Sequence, residues 1–112
     1  MLEGLYVKKI LKAHTKNEMR DADGLRDLAD TLVRLEAYGL AVDIERLRIK
    51  SLKPGSPGWF ESRYGLALAF YRSQKRDDAR KVIDSTAILH PDLGGSRLRD
   101  KFERLRRKIG VE

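Results

Sequence analysis

Cysteine is absent from the chain. That excludes disulfides, thiolate nucleophiles and cysteine-based zinc sites. Histidine is scarce: His14 and His90 are far apart in sequence, so they do not suggest a metal site. No apolar run approaches the ~20 residues that a membrane-spanning helix needs. Nor does the opening "MLEGLYVKKILKAHTKNE" show the basic, apolar and small-residue order of a secretory leader. A cytoplasmic location is expected only if this is the whole chain, because "MLEG" can also open a piece of a longer protein. No segment alternates in the way a half-buried strand does. No nucleophile elbow, phosphate-binding glycine loop or Ser–His–Asp arrangement is present. "PGSPG" reads as a turn. A non-catalytic protein without cofactor or metal is therefore expected.

Charge and helical periodicity are plentiful. The 112 residues suit one domain, and 41% are hydrophobic, enough for a core. Lys and Arg outnumber Asp and Glu by 24 to 17, a net charge of +7. That surplus favours acidic partners, or it simply solvates helix surfaces.

Apolar residues recur at helical spacing throughout. A first helix is expected over 2–14, with Leu2, Tyr6 and Ile10 on one stripe and Val7 and Leu11 beside it. After the polar break "HTKNEMRDAD", Asp21 or Asp23 can cap a helix over about 24–37 that carries Leu25, Leu28, Ala29, Leu32 and Leu35. Gly39 is expected to end it as a left-handed cap. The next helix, about 40–52, places Ala41, Ile44, Leu47 and Leu52 toward one side. "KPGSPG" stops it, and Ser56 and Pro57 open the following one as cap and first helical residue. Helices over about 57–73 and 76–89 follow, with Asp77 and Asp78 suited to the positive start of the latter. Pro91 and Gly94-Gly95 then break the chain. The last helix, about 95–109, has Leu98, Phe102, Leu105 and Ile109 on one stripe. Arg97, Arg99, Lys101, Arg104, Arg106, Arg107 and Lys108 occupy its other faces.

The chain resembles itself at a shift of 38 residues. Leu28-Ala29 falls on Leu66-Ala67, Leu32 on Phe70, Ala41 on Ala79 and Ile44 on Val82. Small residues let two antiparallel helices approach, and large ones fill the groove beside them. A Pro closes each unit because it cannot extend the second helix.

This pattern resembles the tetratricopeptide repeat. "ESRYGLALAFYRSQKRDDARKVIDSTAILHPD" carries Leu66, Ala67, Phe70, Ala79, Ile83 and Pro91 at the family's hairpin positions. "GLRDLADTLVRLEAYGLAVDIERLRIKSLKP" carries Leu25, Leu28, Ala29, Leu32, Ala41 and Pro54. Arg63 stands where the family often has a large apolar residue, and the spacing of 38 exceeds the usual ~34. The resemblance implies an all-α array of about six helices, stacked as hairpins in a short solenoid. Its parts would be an N-terminal helix (1–16), two units (22–54 and 57–92) and a C-terminal capping helix (95–109). It also implies a scaffold that binds a protein or peptide.

In this family the first helix of each unit lines the groove. That implies Asp23, Arg26, Asp30, Val33 and Arg34 from one unit, and Glu61, Tyr64, Leu68, Tyr71 and Arg72 from the other. Arg26, Arg34 and Arg72 suit peptide carboxylates, and Tyr64 and Tyr71 suit flat apolar contacts. The family's clamp for an acidic peptide tail does not carry over, because Asp30 stands where a neutral Asn is needed. Trp59 and Phe60 are expected to lock the second unit against its neighbour.

Two other roles compete with the scaffold. Arg97, Arg104, Arg106, Arg107 and Lys108 could lie along nucleic-acid phosphates, although no aromatic interleaves them. Alternatively, two units leave an apolar end that a second copy could cover.

Overall fold

The computed structural model describes residues 22–111, and every regular element in that span is a helix. Five helices follow one another: α1 (Ala22–Arg34), α2 (Tyr38–Ser51), α3 (Pro57–Arg72), α4 (Arg76–Leu89) and α5 (Ser96–Val111). The all-α expectation is met. The expected first helix over 2–14 lies outside the described residues, so the count there is five and not about six.

The chain folds back at each turn. Glu45 contacts Ser62 while Arg48 contacts Glu61, which makes α2 and α3 antiparallel. Arg63 reaches Thr86 while Trp59 meets His90, which does the same for α3 and α4. The described helices form a slab of 38 × 32 × 18 Å. Its thinnest dimension holds about two helix layers, given interaxial distances of 8–10 Å.

The turns after α1 and α3 are alike. After α1, Glu36 donates to the Val33 carbonyl at 3.0 Å and Ala37 donates to the Leu32 carbonyl at 2.8 Å. After α3, Gln74 donates to Tyr71 at 3.0 Å and Lys75 donates to Phe70 at 2.8 Å. Each partner is displaced by 38 residues. Both are Schellman closures, in which one residue adopts a left-handed conformation and two orphan carbonyls are satisfied. That residue is Glu36 (φ 59°) in the first turn and Gln74 (φ 65°) in the second. This corrects the expectation for Gly39, which lies in the first turn of α2. A glycine at the left-handed position is worth only about 1 kcal/mol. Starting α2 at Tyr38 buries Ala41, Val42 and Ile44, which outweighs that preference.

The other ends follow local chemistry. Ser56 accepts from the Trp59 amide at 3.4 Å, and Pro57 occupies the first helical position of α3. Asp77 and Asp78 sit in the first turn of α4. Asp23 lies inside α1, which opens at Ala22. Between α4 and α5, Gly94 (φ 87°) lies so close to the Phe60 ring that a Cβ there would overlap it.

Leu25, Leu28, Ala29 and Leu32 from α1 join one core with Ala41, Ile44, Leu66, Ala67, Phe70, Ala79 and Ile83. Phe102, Leu105 and Ile109 of α5 complete it, with Leu98 packed alongside. The apolar stripe of α5 thus lies against α3 and α4. Leu47 departs from expectation. It is 46% exposed, while Glu45 and Arg48 are buried in its place. Helix α2 is packed by α1 on one side and α3 on the other, and the face between them carries residues 41, 45 and 48.

Candidate binding groove between α1 and α3

Helices α1 and α3 flank an open concavity of about 550 Å³. Asp27, Asp30, Thr31, Val33 and Arg34 line it from α1, Gly65 and Leu68 from α3, and Glu45 of α2 from below. Asp30, Val33, Arg34 and Leu68 are expected groove residues.

The floor rests on a polar seam between α2 and α3. Gly65 lacks a side chain, and a Cβ there would overlap Glu45 Oε2. The Glu45 carboxyl is therefore pressed against the α3 backbone. Its Oε1 accepts from Arg48 Nη1 at 3.4 Å and lies 3.2 Å from Ser62 Oγ. The same hydroxyl lies 3.2 Å from the Glu45 carbonyl oxygen. Burial raises the Glu45 pKa to about 7, and the Asp30 charge adds to the rise. Arg48 and Ser62 oppose it without cancelling it. Arg48 Nη2 also reaches Glu61 Oε2 at 3.4 Å, while its buried Nε has no acceptor.

The other expected groove residues lie elsewhere. Tyr64 meets Phe102 of α5 edge to face at 5.5 Å, beneath the Lys101 ammonium at 5.7 Å from its ring centre. Helix α5 therefore occupies the space beside it. Burial raises the Tyr64 pKa, against the pull of Arg72 and Arg104. Glu61 is engaged with Arg48. Tyr71 and Arg72 line a separate concavity of about 470 Å³ with Tyr38, Gln74 and Arg76. Arg26 is exposed on α1 but lines neither concavity, and the burial of Asp23 lies outside what is described.

Arg63 has a structural role. Its Nε donates to Thr86 Oγ1 at 2.9 Å, and its Nη2 donates to Ser85 Oγ at 2.6 Å and to the Val82 carbonyl at 3.3 Å. Burial lowers its pKa. The guanidinium also stacks 5.4 Å from the Trp59 ring centre. Trp59 packs edge to face on Phe60 and on His90, each at 5.1 Å. It therefore locks α3 to the end of its own partner α4. Trp59 and Phe60 are expected to lock the second unit against its neighbour; the Trp59 contacts lie within that unit. His90 is engaged in that cluster, and His14 lies outside the described residues. Among the described residues, no three His, Asp or Glu side chains converge as a metal site would require.

On α5, Arg97, Arg104, Arg106, Arg107 and Lys108 are all exposed. Arg106 pairs with Asp84 at 2.9 Å. The other four make no ion pair among the described residues. No described helix is long and apolar enough to cross a membrane.

Glu45, Arg48, Ser62 and Gly65 were not legible as a site in the sequence. One signal was available: Gly65 interrupts a good helix-forming stretch, and an interior helical glycine costs about 1 kcal/mol relative to Ala unless close packing needs it. Comparison of the chain with family models, with curated protein sequences and with solved structures finds no match.

Proposed function

We propose that the chain is a non-catalytic scaffold, a short solenoid of tetratricopeptide-like hairpins, that binds an extended peptide or protein segment between α1 and α3. One observation carries this reading. Asp30, Val33 and Arg34 of the first hairpin and Leu68 of the second line a single open concavity of about 550 Å³. The 38-residue equivalence of the two turns supports treating the hairpins as repeated units. Val33 and Leu68 supply apolar contact beside the polar Asp27, Asp30, Thr31, Arg34 and Glu45.

Selection from a displayed peptide library tests the reading. Leu68→Trp would fill the groove from its half-exposed wall. Binding of selected peptides should fall at least tenfold in that variant while its melting temperature is kept. Recovery of no peptide, or unchanged binding by Leu68→Trp, would overturn the reading.

A second reading has its own support. Arg97, Arg104, Arg107 and Lys108 are exposed cations with no ion pair among the described residues, and such a row can displace counterions from phosphates. Fluorescence anisotropy with single-stranded RNA and duplex DNA at two salt concentrations separates the readings. Tight, salt-sensitive binding lost on neutralising these residues favours nucleic acid.

A further inference from the structure

The groove differs in charge from the chain that forms it. The protein carries +7 overall, yet Asp27, Asp30 and Glu45 line the concavity against a single guanidinium, Arg34. That guanidinium is already engaged: its Nη2 donates to Thr31 Oγ1 at 3.2 Å, and the threonine hydroxyl donates to the Asp27 carbonyl at 2.9 Å. Neither Asp27 nor Asp30 makes an ion pair among the described residues.

Glu45 provides an independent observation. It is 5% exposed, and both of its side-chain contacts, Arg48 Nη1 and Ser62 Oγ, are made at Oε1. Oε2 has no donor among the described residues and lies on the groove floor beside Gly65. The only buried side-chain polar atom without a partner among the described residues is Arg48 Nε, so Oε2 faces the open groove and is served by water until a ligand donor replaces it. The groove lining is mixed: Val33 and Leu68 are apolar and on facing helices, beside Asp27, Asp30, Thr31 and Arg34 of α1. Carboxylates beside the apolar Val33 and Leu68 match a side chain with a methylene stem and a cationic head. They do not match a bare divalent ion, because no three carboxylates converge there.

We propose that the concavity between α1 and α3 is a subsite for a lysine or arginine side chain of the bound segment, with Glu45 Oε2 receiving the cationic head and Asp30 flanking it. Such a subsite presupposes the peptide-binding role above and specifies its ligand chemistry. It reverses the expectation that Arg34 would receive a peptide carboxylate.

The groups facing Glu45 are Asp27, Asp30 and Arg34 from α1, Arg48 from α2, and Glu61 and Ser62 from α3. Burial keeps Glu45 protonated up to about pH 7, so a bound cation must displace that proton. Affinity should rise about tenfold from pH 6 to pH 8, following the ionised fraction.

Ethylguanidinium and n-butylammonium are suitable probes, with n-butyramide as the neutral control, in amide NMR titrations at constant ionic strength. Both cations should shift the Gly65, Leu68 and Asp30 amides saturably at pH 8, and butyramide should not. Glu45→Gln should weaken the cations about tenfold, as expected for loss of a charge-assisted contact. Asp30→Asn, at an exposed position, should weaken them without affecting folding. Absence of saturable shifts at these amides, or wild-type affinity in both variants, would overturn the proposal and leave Oε2 satisfied by water alone. The peptide selection is a separate arm. Groove peptides lost on Leu68→Trp but free of Lys and Arg would overturn the subsite and leave the scaffold standing. Cation binding without any peptide capture would leave an acidic cation pocket but overturn both the scaffold and the peptide side chain as its ligand.

Discussion

Replacing Glu45 by Gln should remove a pH dependence from the stability of the protein. In the folded chain the buried carboxyl holds its proton up to about pH 7, against an ordinary value of 4.5 that also describes the unfolded chain. Between those values folding takes up a proton. The stability contributed by this group is therefore fully present below about pH 4.5. It declines as the pH rises toward 7 and is level above that. Each tenfold difference in proton affinity between the folded and unfolded chains corresponds to about 1.4 kcal/mol, so the decline is on the order of 3 kcal/mol. Gln keeps the shape of the side chain and carries no titrating proton. Urea unfolding of both proteins from pH 4.5 to pH 8, followed by helical circular dichroism and Trp59 fluorescence, gives the comparison. Subtracting the variant from the wild type cancels most contributions of the other carboxylates. The difference should fall by on the order of 3 kcal/mol across that range. A flat difference would refute the reasoning. That flat result would mean that Arg48, at 3.4 Å, holds Glu45 ionised throughout the range and that the Coulombic attraction offsets the cost of burial.

Two further perturbations bear on the frame around the groove. Gly65→Ala should cost about 1–3 kcal/mol, because its Cβ would overlap the Glu45 carboxyl and push it from its place beside Arg48 and Ser62. Combining it with Glu45→Ala should give a cost well below the sum of the two single changes, measured as a double-mutant cycle in chemical denaturation. Trp59→Ala should destabilise by about 3–5 kcal/mol, since the ring is buried against Phe60, His90 and Arg63. An unchanged unfolding midpoint would show that this cluster does not hold α3 to α4.

Much of the fold was legible in the residues, and the reasons are local. Ser56 and Pro57 start a helix wherever they fall, because one satisfies an orphan amide and the other has none to satisfy. The Leu-Ala pairs and the two alanines 38 residues apart marked the close approaches, and Ala29, Ala41, Ala67 and Ala79 are all buried. The groove was only partly legible. Asp30, Arg34 and Leu68 meet there, but Tyr64 is covered by Phe102, whose contact joins residues 38 apart on different helices. The stripe on α2 misled for a related reason. Leu47 is apolar and correctly spaced, yet it faces outward because α3 approaches from the side that carries Glu45 and Arg48.

The sequence by itself determined that helices fill most of residues 22–111, that Pro54-Gly55 and Pro91 with Gly94-Gly95 interrupt them, and that Phe102, Leu105 and Ile109 bury one side of the last. Backbone geometry, capping and 3.6-residue periodicity act within a few residues, so a linear pattern contains them. Only the tertiary structure decided that a carboxylate lies under the groove, that a glycine makes room for it, and that Arg63 ties α3 to α4. Burial, the pKa of Glu45 and the pairing of charges depend on which helices meet and at what distance, and helix periodicity sets neither.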